Sequence, residues 1–233
     1  NIVKDGLVFL VDAANPRSWT GPDSSNVNDL ISTNTGSIFN DTSGSYGDNN
    51  SFDLDGTDDY IDLGNVSSLN GVTQATWFVW MKKSTNTSSY PIGTWGNPAS
   101  SSTKQFTFYT FSTSIIAVYM ATSSGSQKTM FQNNSLSINQ GVWYCLAFVY
   151  NESESSNADK LKFYLDGVQI ANTVAGAALT SLNSVTTSFQ ICPLGLTPGP
   201  FNGNIGPLQV YNKALSASEV AQNYNALKSR FGL

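Results

Sequence analysis

Short apolar runs separated by loops rich in Gly, Ser, Asn and Thr recur along this chain and constrain its fold more than any other feature. Runs of four to eight residues with frequent turn residues between them predict β-strands. The predicted strands are Leu7–Val11, Ser51–Leu54, Tyr60–Leu63, Ala75–Met81, Gln105–Phe111, Ile115–Met120, Trp143–Tyr150, Lys160–Asp166, Ser188–Cys192 and Gly206–Tyr211. Many short strands without alternating helices favour an all-β, two-sheet antiparallel sandwich or jelly roll.

The C-terminal segment has the pattern of a helix. Ser216 and Glu219 have the spacing of a capping box, in which each side chain accepts a hydrogen bond from an amide at the helix start. An apolar stripe follows at Val220, Tyr224, Leu227 and Phe231. We expect a short helix over about 216–231 that packs on the sandwich. No linker or repeat divides the chain, so residues 1–233 are expected to form one domain.

The charge and the residue types exclude several functions. The net charge is −5 and only 11 Lys and Arg residues are present, so no basic stripe exists for nucleic acid. No apolar run reaches the length of a membrane span, and no membrane association is expected. The chain has no histidine, which removes Ser-His-Asp triads, Cys-His pairs and the common zinc sites.

The two cysteines do not make a disulfide framework. Cys145 lies in an apolar strand and Cys192 follows another. Buried free thiols are the favoured interpretation. A bridge between the two remains the alternative, because the sequence does not place their Cα atoms.

The segment Ser51–Asp62 has two interpretations. Its oxygen-bearing residues nearly fit a calcium loop, but its flanks are not helical and Asp58 stands where such a loop needs an apolar residue. Its alternation and its Asp-Gly turn instead predict a β-hairpin, with carboxylates of the turn accepting backbone N–H bonds. The core-facing residues of this hairpin would be Phe52, Leu54, Ile61 and Leu63, and its acceptors Asp55 and Asp58. No cofactor is therefore expected, and calcium held by Asp55, Asp58 and Asp59 in another geometry remains an unsupported alternative.

Three blocks, in order, resemble the laminin-G-like, or concanavalin A-like, jelly-roll family. They are S-F-D-L-D-G-T-D-D-Y-I-D-L-G with T-W-F-V-W-M-K (51–64 and 76–82), G-V-W-Y-C-L-A-F-V-Y with K-L-K-F-Y-L-D-G-V (141–150 and 160–168), and F-N-G-N-I-G-P-L-Q-V-Y-N-K-A-L-S-A-S-E-V (201–220). The opening G-L-V-F-L-V-D-A-A-N-P-R-S-W (6–19) also resembles the start of such domains in bacteriophage virion proteins. The resemblance implies a jelly roll and a virion or extracellular setting. Because proteins of this fold have many functions, the function depends on which of the family's metal, catalytic and binding residues this sequence contains.

The family's metal and catalytic sites do not carry over. The pentraxin-type calcium loops correspond to Ser101–Gln105 and Pro193–Pro200, which contain no carboxylate. Glycosidases of this fold use carboxylates on one strand, usually as E-x-D-x-E, and this chain has no such run. Glu152 and Glu154 have the spacing of a pair, but they lie in a polar loop without the apolar surroundings that a catalytic acid needs. We therefore predict a protein without enzyme activity.

Binding remains, and sugar recognition combines an aromatic face with polar groups. In the predicted loop Tyr90–Pro98, Tyr90, Trp95 and Asn97 are candidates, and Trp19 is another. Trp95 could instead cap one end of the sandwich, whereas Trp77 and Trp143 are expected in the core.

The sequence therefore predicts a carbohydrate-binding or adhesion module displayed on a virion, as a phage fibre or capsid-surface part. The alternatives are a structural decoration or fibre protein that contacts neighbouring virion chains, and a secreted bacterial lectin-like domain. The expected partners are a cell-surface glycan or virion proteins, within a homo-oligomeric assembly.

Overall fold

The predicted strands form in the structure, and further strands lie between them. The structure is a computed structural model that describes residues 1–41, 46–85, 89–95, 106–111, 115–121, 128–133, 136–176, 182, 187–193 and 200–233, with backbone alone for 89–91, 111, 121 and 128–132. The strands in these ranges are β1 (Leu7–Val11), β2 (Asn26–Asn28), β3 (Thr35–Phe39), β4 (Phe52–Asp55), β5 (Tyr60–Asp62), β6 (Gln74–Lys83), β7 (Ser89–Trp95), β8 (Phe106–Phe111), β9 (Ile115–Ala121), β10 (Lys128–Asn133), β11 (Trp143–Asn151), β12 (Leu161–Leu165), β13 (Val168–Ile170), β14 (Thr173–Gly176), β15 (Phe189–Ile191) and β16 (Asn202–Tyr211). The helices are α1 (Asn157–Lys160) and α2 (Ala217–Leu227), with 3-10 turns at Ser67–Leu69 and Lys228–Phe231.

The strands pair into two antiparallel sheets, which confirms the predicted jelly-roll sandwich. The seven-stranded sheet has the order β1-β16-β6-β11-β12-β13, and β4 pairs with β16 beside this path. The nine-stranded sheet has the order β14-β10-β9-β8-β7-β15-β5-β3-β2. Strands that are adjacent in space are often distant in sequence, as a jelly roll requires.

Strand β6 contributes side chains to two apolar clusters, one on each face of its sheet. Its side chains alternate between the faces of the seven-stranded sheet. Trp77, Val79 and Met81 lie in the core between the sheets. Phe78 and Trp80 lie in a second apolar cluster, on the outer face of the same sheet. The run is therefore apolar throughout because both of its faces are covered.

Helix α2 covers that second cluster. Ser216 caps it, and the capping box with Glu219 is present. Val220 and Phe231 are buried, and Tyr224 and Leu227 pack against the cluster. The predicted stripe and its packing on the sandwich are confirmed. The last turn, Lys228–Phe231, is a 3-10 helix.

The predicted hairpin at Ser51–Asp62 is wrong, although its alternation is right. Its core-facing side chains are buried, namely Phe52, Leu54, Ile61 and Leu63. However, β4 pairs with β16 in the seven-stranded sheet, whereas β5 pairs with β3 and β15 in the nine-stranded sheet. The Asp-Gly turn thus carries the chain from one sheet to the other. Either arrangement buries the same residues, so alternation alone does not distinguish them.

The predictions for the cysteines and for two core tryptophans are confirmed, whereas the predicted loop at Tyr90–Pro98 is largely a strand. Cys145 and Cys192 are buried free thiols, as favoured, and not a disulfide. Trp77 and Trp143 are buried as expected. The predicted loop at Tyr90–Pro98 is a strand up to Trp95, and its remaining residues lie outside the described ranges.

Candidate functional site

The two candidate tryptophans do not offer a face to a ligand. Trp95 ends β7 within the core between the sheets and is fully buried. Trp19 is 1% exposed, and its Nε1 donates to the Ser24 carbonyl oxygen at 2.7 Å. Their large apolar areas make burial the stronger tendency, and exposure cannot be read from flanking turn residues. Asn97 and the side chain of Tyr90 lie outside the described part of the chain.

The structure does bring together Asp55, Asp58 and Asp59 in the turn between the sheets. One carboxylate oxygen from each lies within 4.8 Å of the others. Asp55 Oδ1 accepts from Thr57 N at 2.6 Å, and Asp59 Oδ2 accepts from Asp55 N at 2.9 Å. The predicted acceptor role therefore holds for Asp55, and Asp59 fills it in place of Asp58.

Asp59 is the unusual member of this cluster. It is 1% exposed, and its Oδ1 has no hydrogen-bond partner among the described residues. Burial, with smaller contributions from the charges of Asp55, Asp41 and Asp58, raises the pKa of Asp59 to about 6. A proton on Asp59 can therefore relieve the repulsion within the cluster near pH 6.

The outer face of the nine-stranded sheet carries an exposed aromatic pair that is not among the sequence-predicted site residues. Phe39, at the end of β3, stacks on Tyr60, at the start of β5. The ring centroids are 4.6 Å apart and the planes are 6° from parallel. Phe39 is 40% exposed and Tyr60 is half-buried. We call these two residues the aromatic platform.

A row of polar side chains runs across the same face, beside the platform. Cross-strand pairing aligns Ser37 with Asp62, Asp62 with Gln190, Gln190 with Thr94 and Thr94 with Thr107. These residues share the outer face because the residues that alternate with them, such as Ile38 and Ile61, lie in the core. Ser37, Asp62 and Gln190 are half-buried, whereas Thr94 and Thr107 are buried and hydrogen-bonded to each other at 2.6 Å. The accessible half of the row, Ser37, Asp62 and Gln190, is the polar flank of the platform.

The flank is held in place by hydrogen bonds and close backbone packing. Asp62 Oδ1 accepts from Gly64 N at 2.9 Å, and Asp62 Oδ2 accepts from Gln190 Nε2 at 3.1 Å. Gly36 allows β3 to approach β5, since a Cβ there would lie 2.3 Å from the Asp62 carbonyl oxygen. Tyr60 and Asp62 are two residues apart on one strand face, about 7 Å, so one sugar ring can contact both.

The platform was missed because β3 was not predicted. Its sequence, Thr-Gly-Ser-Ile-Phe, is short and contains a glycine. The signal available was the alternation Ser37-Ile38-Phe39 against Tyr60-Ile61-Asp62, but only strand register shows that Phe39 meets Tyr60.

A laminin-G-like family model, described as the concanavalin A-like lectin/glucanases superfamily, matches residues 55–221. No curated protein matches the sequence at a significant level. Among the described residues, no helix has both the length and the apolar character needed to cross a membrane.

Solved structures share the fold at low sequence identity. The botulinum neurotoxin serotype D binding domain has a TM-score of 0.64 at 12% identity, over 95% of this chain and 51% of that chain. A Trypanosoma rangeli sialidase in complex with sialic acid has a TM-score of 0.67 at 12% identity, over 98% of this chain and 34% of that chain. Domain 4 of AbnA, a GH43 extracellular arabinanase from Geobacillus stearothermophilus, in complex with arabinotriose, has a TM-score of 0.58 at 16% identity, over 95% of this chain and 100% of that chain. The chain thus spans about half of the neurotoxin domain and a third of the sialidase.

Proposed function

Because this chain belongs to the concanavalin A-like lectin/glucanase superfamily, we propose that it is a non-enzymatic carbohydrate-binding module whose ligand packs on the aromatic platform. The observation that carries this proposal is the parallel stack of Phe39 on Tyr60 beside Asp62. The C–H groups of a sugar ring pack on an exposed aromatic face, and carboxylate and amide groups orient its hydroxyls.

The polar flank is suited to hydroxyl groups. A carboxylate oxygen has two lone pairs, and within the described ranges each oxygen of Asp62 accepts one hydrogen bond. Each therefore retains capacity to accept from a sugar hydroxyl. Gln190 and Ser37 add neutral groups on either side of Asp62. These preformed groups lie on strands, which hold them in position before the ligand arrives.

Two related structures support this choice of ligand class. The AbnA domain was solved with arabinotriose, and the sialidase with sialic acid. The AbnA domain is matched over its full length, so it is comparable in extent to this chain.

Binding without catalysis suits the platform's own chemistry. Glycoside hydrolysis generally requires two carboxyl groups across the scissile bond, and the platform and its flank include one, Asp62. Glu154, in the polar loop that follows β11, forms an ion pair with Lys162 at 2.8 Å, so its carboxylate already has a partner.

We further propose adhesion as the biological role, with the module exposed on a virion or outside a cell. The phage setting rests on the resemblance of residues 6–19 to virion proteins. In the alternative, structural role, neighbouring virion chains or further copies of this chain would cover the platform.

A glycan array with the wild-type protein and Phe39→Ala tests the proposal. The array should include sialylated and arabinan oligosaccharides, and hits should be titrated calorimetrically. Phe39→Ala is expected to lower affinity at least about fivefold, since a side chain that is important for binding contributes more than ~1 kcal/mol. Val168→Ala, at a side chain that is 68% exposed on β13, is the matched control and should bind like wild type.

Two outcomes would reject glycan binding at the platform. One is that wild type binds no glycan on the array. The other is that Phe39→Ala binds as tightly as wild type. If Phe39→Ala instead changed the oligomeric state, measured by light scattering, without affecting glycans, the structural role would be favoured.

A further inference from the structure

A polar cavity lies on the opposite side of the sandwich from the aromatic platform. It has a volume of about 430 Å³ and lies on the outer face of the seven-stranded sheet. Asp53, Lys82 and Asn204 project from this face, because the residues that alternate with them, such as Leu54, Met81 and Ile205, lie in the core. The cavity is lined by Tyr46, Gly47, Asp48, Asp53, Lys82, Lys83, Ser84, Gln140, Gly141 and Asn204.

Three polar side chains form a continuous row along the cavity. Asn204 of β16 is paired with Asp53 of β4 on one side and with Lys82 of β6 on the other. Asn204 Nδ2 donates to Asp53 Oδ1 at 2.8 Å. Lys82 Nζ forms an ion pair with Asp48 at the cavity rim and lies 5.8 Å from the Trp143 ring centroid. The row therefore presents acceptors at one end and an ammonium at the other.

Residues 46–48 form one wall of the cavity and lie close to Asn204 of β16. A Cβ on Gly47 would lie 2.3 Å from Asn204 Nδ2 and 2.7 Å from Ser51 Oγ. Ser51 Oγ is itself buried without a hydrogen-bond partner in the described part of the chain. Arg230 anchors the next residues by donating to the carbonyl oxygens of Asn49 and Asn50. The cavity is thus shaped before any ligand binds.

Hydrogen-bonding capacity in the row remains unused. Within the described residues, Asp53 Oδ2 and Asn204 Oδ1 accept no hydrogen bond from a protein group. Lys82 carries three donors, of which the ion pair with Asp48 employs one. Burial raises the pKa of Asp53 and lowers that of Lys82, so both charged groups are partly desolvated. Desolvated charges of both signs around one cavity mark a candidate binding site.

We propose that this cavity is a second ligand site, for a neutral, hydroxyl-rich ligand such as one sugar ring or a polyol. A hydroxyl both donates and accepts, so neighbouring hydroxyls can donate to Asp53 and Asn204 and accept from Lys82. An anion would meet Asp53 and Asp48, and a cation would meet Lys82 and Lys83, so a singly charged ligand is disfavoured. Tyr46, 40% exposed, is the aromatic residue among those that line the cavity, and C–H groups of a sugar pack favourably on aromatic side chains.

The site goes beyond the proposed function because it would give the module two separate binding faces. The cavity shares no residue with the platform, and the two lie on different sheets. Two sites on opposite faces could hold two glycan chains at once, which increases overall binding through multivalency.

Titration by ligand-observed NMR tests the cavity with defined probes. The neutral probes are the methyl pyranosides of glucose, galactose and mannose, with myo-inositol as a polyol. The charged probes are N-acetylneuraminic acid and glucosamine. Asp53→Asn keeps the shape of the side chain but removes its charge, and Lys82→Met keeps the length. Each is expected to weaken binding of the neutral probes by about tenfold, as expected for a hydrogen bond to a charged group.

A third variant, Gln140→Trp, tests the cavity without changing a side chain that the fold depends on. Gln140 is exposed at the cavity rim, so a bulky residue there should block the cavity without disturbing the core. All titrations are made in the Phe39→Ala background, so that sugar binding at the platform does not contribute and this test stays separate from that of the platform. The proposal is overturned if no neutral probe binds in this background, if adding Gln140→Trp leaves that binding unchanged, or if a charged probe binds more tightly than every neutral one.

Discussion

Arg230 holds Asp12 through its Nη1, which lies 2.8 and 2.9 Å from the two carboxylate oxygens. The same guanidinium donates to the backbone carbonyls of Asn49 and Asn50. One side chain thus joins the C-terminal 3-10 turn, the end of β1 and the segment 46–50, which forms one wall of the polar cavity. Arginine is suited to this role because its donors form a rigid planar group.

Arg230→Met should lower the free energy of unfolding by about 2 kcal/mol, since it removes the charged donor shared by a half-buried carboxylate and two backbone carbonyls. Urea denaturation at pH 7 measures this loss. Lys162→Met is the matched control, because its ion pair with Glu154 is more exposed and should contribute less. An equal loss in both variants would contradict a special role for Arg230.

Gly36→Ala should disturb the β3–β5 pairing that forms the aromatic platform. The added Cβ would lie 2.3 Å from the Asp62 carbonyl oxygen and 2.8 Å from Leu63 Cα, both of them backbone atoms that cannot move aside alone. A loss of about 1–3 kcal/mol is expected. Thermal unfolding measures it, with Ser37→Ala on the same strand as control. A melting temperature equal to that of wild type would show that the strands are not so close.

The stability of the protein should depend on the titration of Asp59. Burial and the neighbouring carboxylates raise the pKa of Asp59 to about 6, above its unfolded value of about 4. The folded state then binds this proton more tightly than the unfolded state does. Its contribution to stability is therefore fully present below about pH 4, declines as the pH rises to about 6, and is constant above that.

Asp59→Asn should remove this decline. The change in stability that the substitution causes should therefore be more favourable at pH 7 than at pH 4, by about 3 kcal/mol. Denaturation curves at several values between pH 4 and 8 test this. Asp58→Asn, at an exposed side chain of the same turn, should retain most of the decline. Parallel pH profiles for wild type and Asp59→Asn would contradict the proposed titration.

Removal of calcium should leave the melting temperature unchanged. Asp55 and Asp59 already accept backbone N–H bonds, and calcium requires six to eight oxygen ligands. Melting curves with excess chelator and with added calcium make the comparison. A drop of many degrees on chelation would establish a metal site at Asp55, Asp58 and Asp59.

Much of the fold could be predicted from local patterns. The strand run of β6, the capping box at Ser216 and the apolar stripe of α2 each depend on residues that are near one another in sequence. Burial of Phe52, Leu54, Ile61 and Leu63 also follows from alternation. The candidate site could not be predicted in the same way. Trp19 and Trp95 lie beside turn residues, yet tertiary packing buries both.

The periodicity of apolar side chains is visible in the sequence, and it predicts an all-β sandwich with a packed C-terminal helix. The folded chain was needed to show that the Asp-Gly turn crosses between sheets, that Phe39 stacks on Tyr60, and that Asp53, Asn204 and Lys82 form one row. Periodicity specifies which face of a strand is buried, whereas the choice of partner strand and register depends on contacts between residues far apart in the chain.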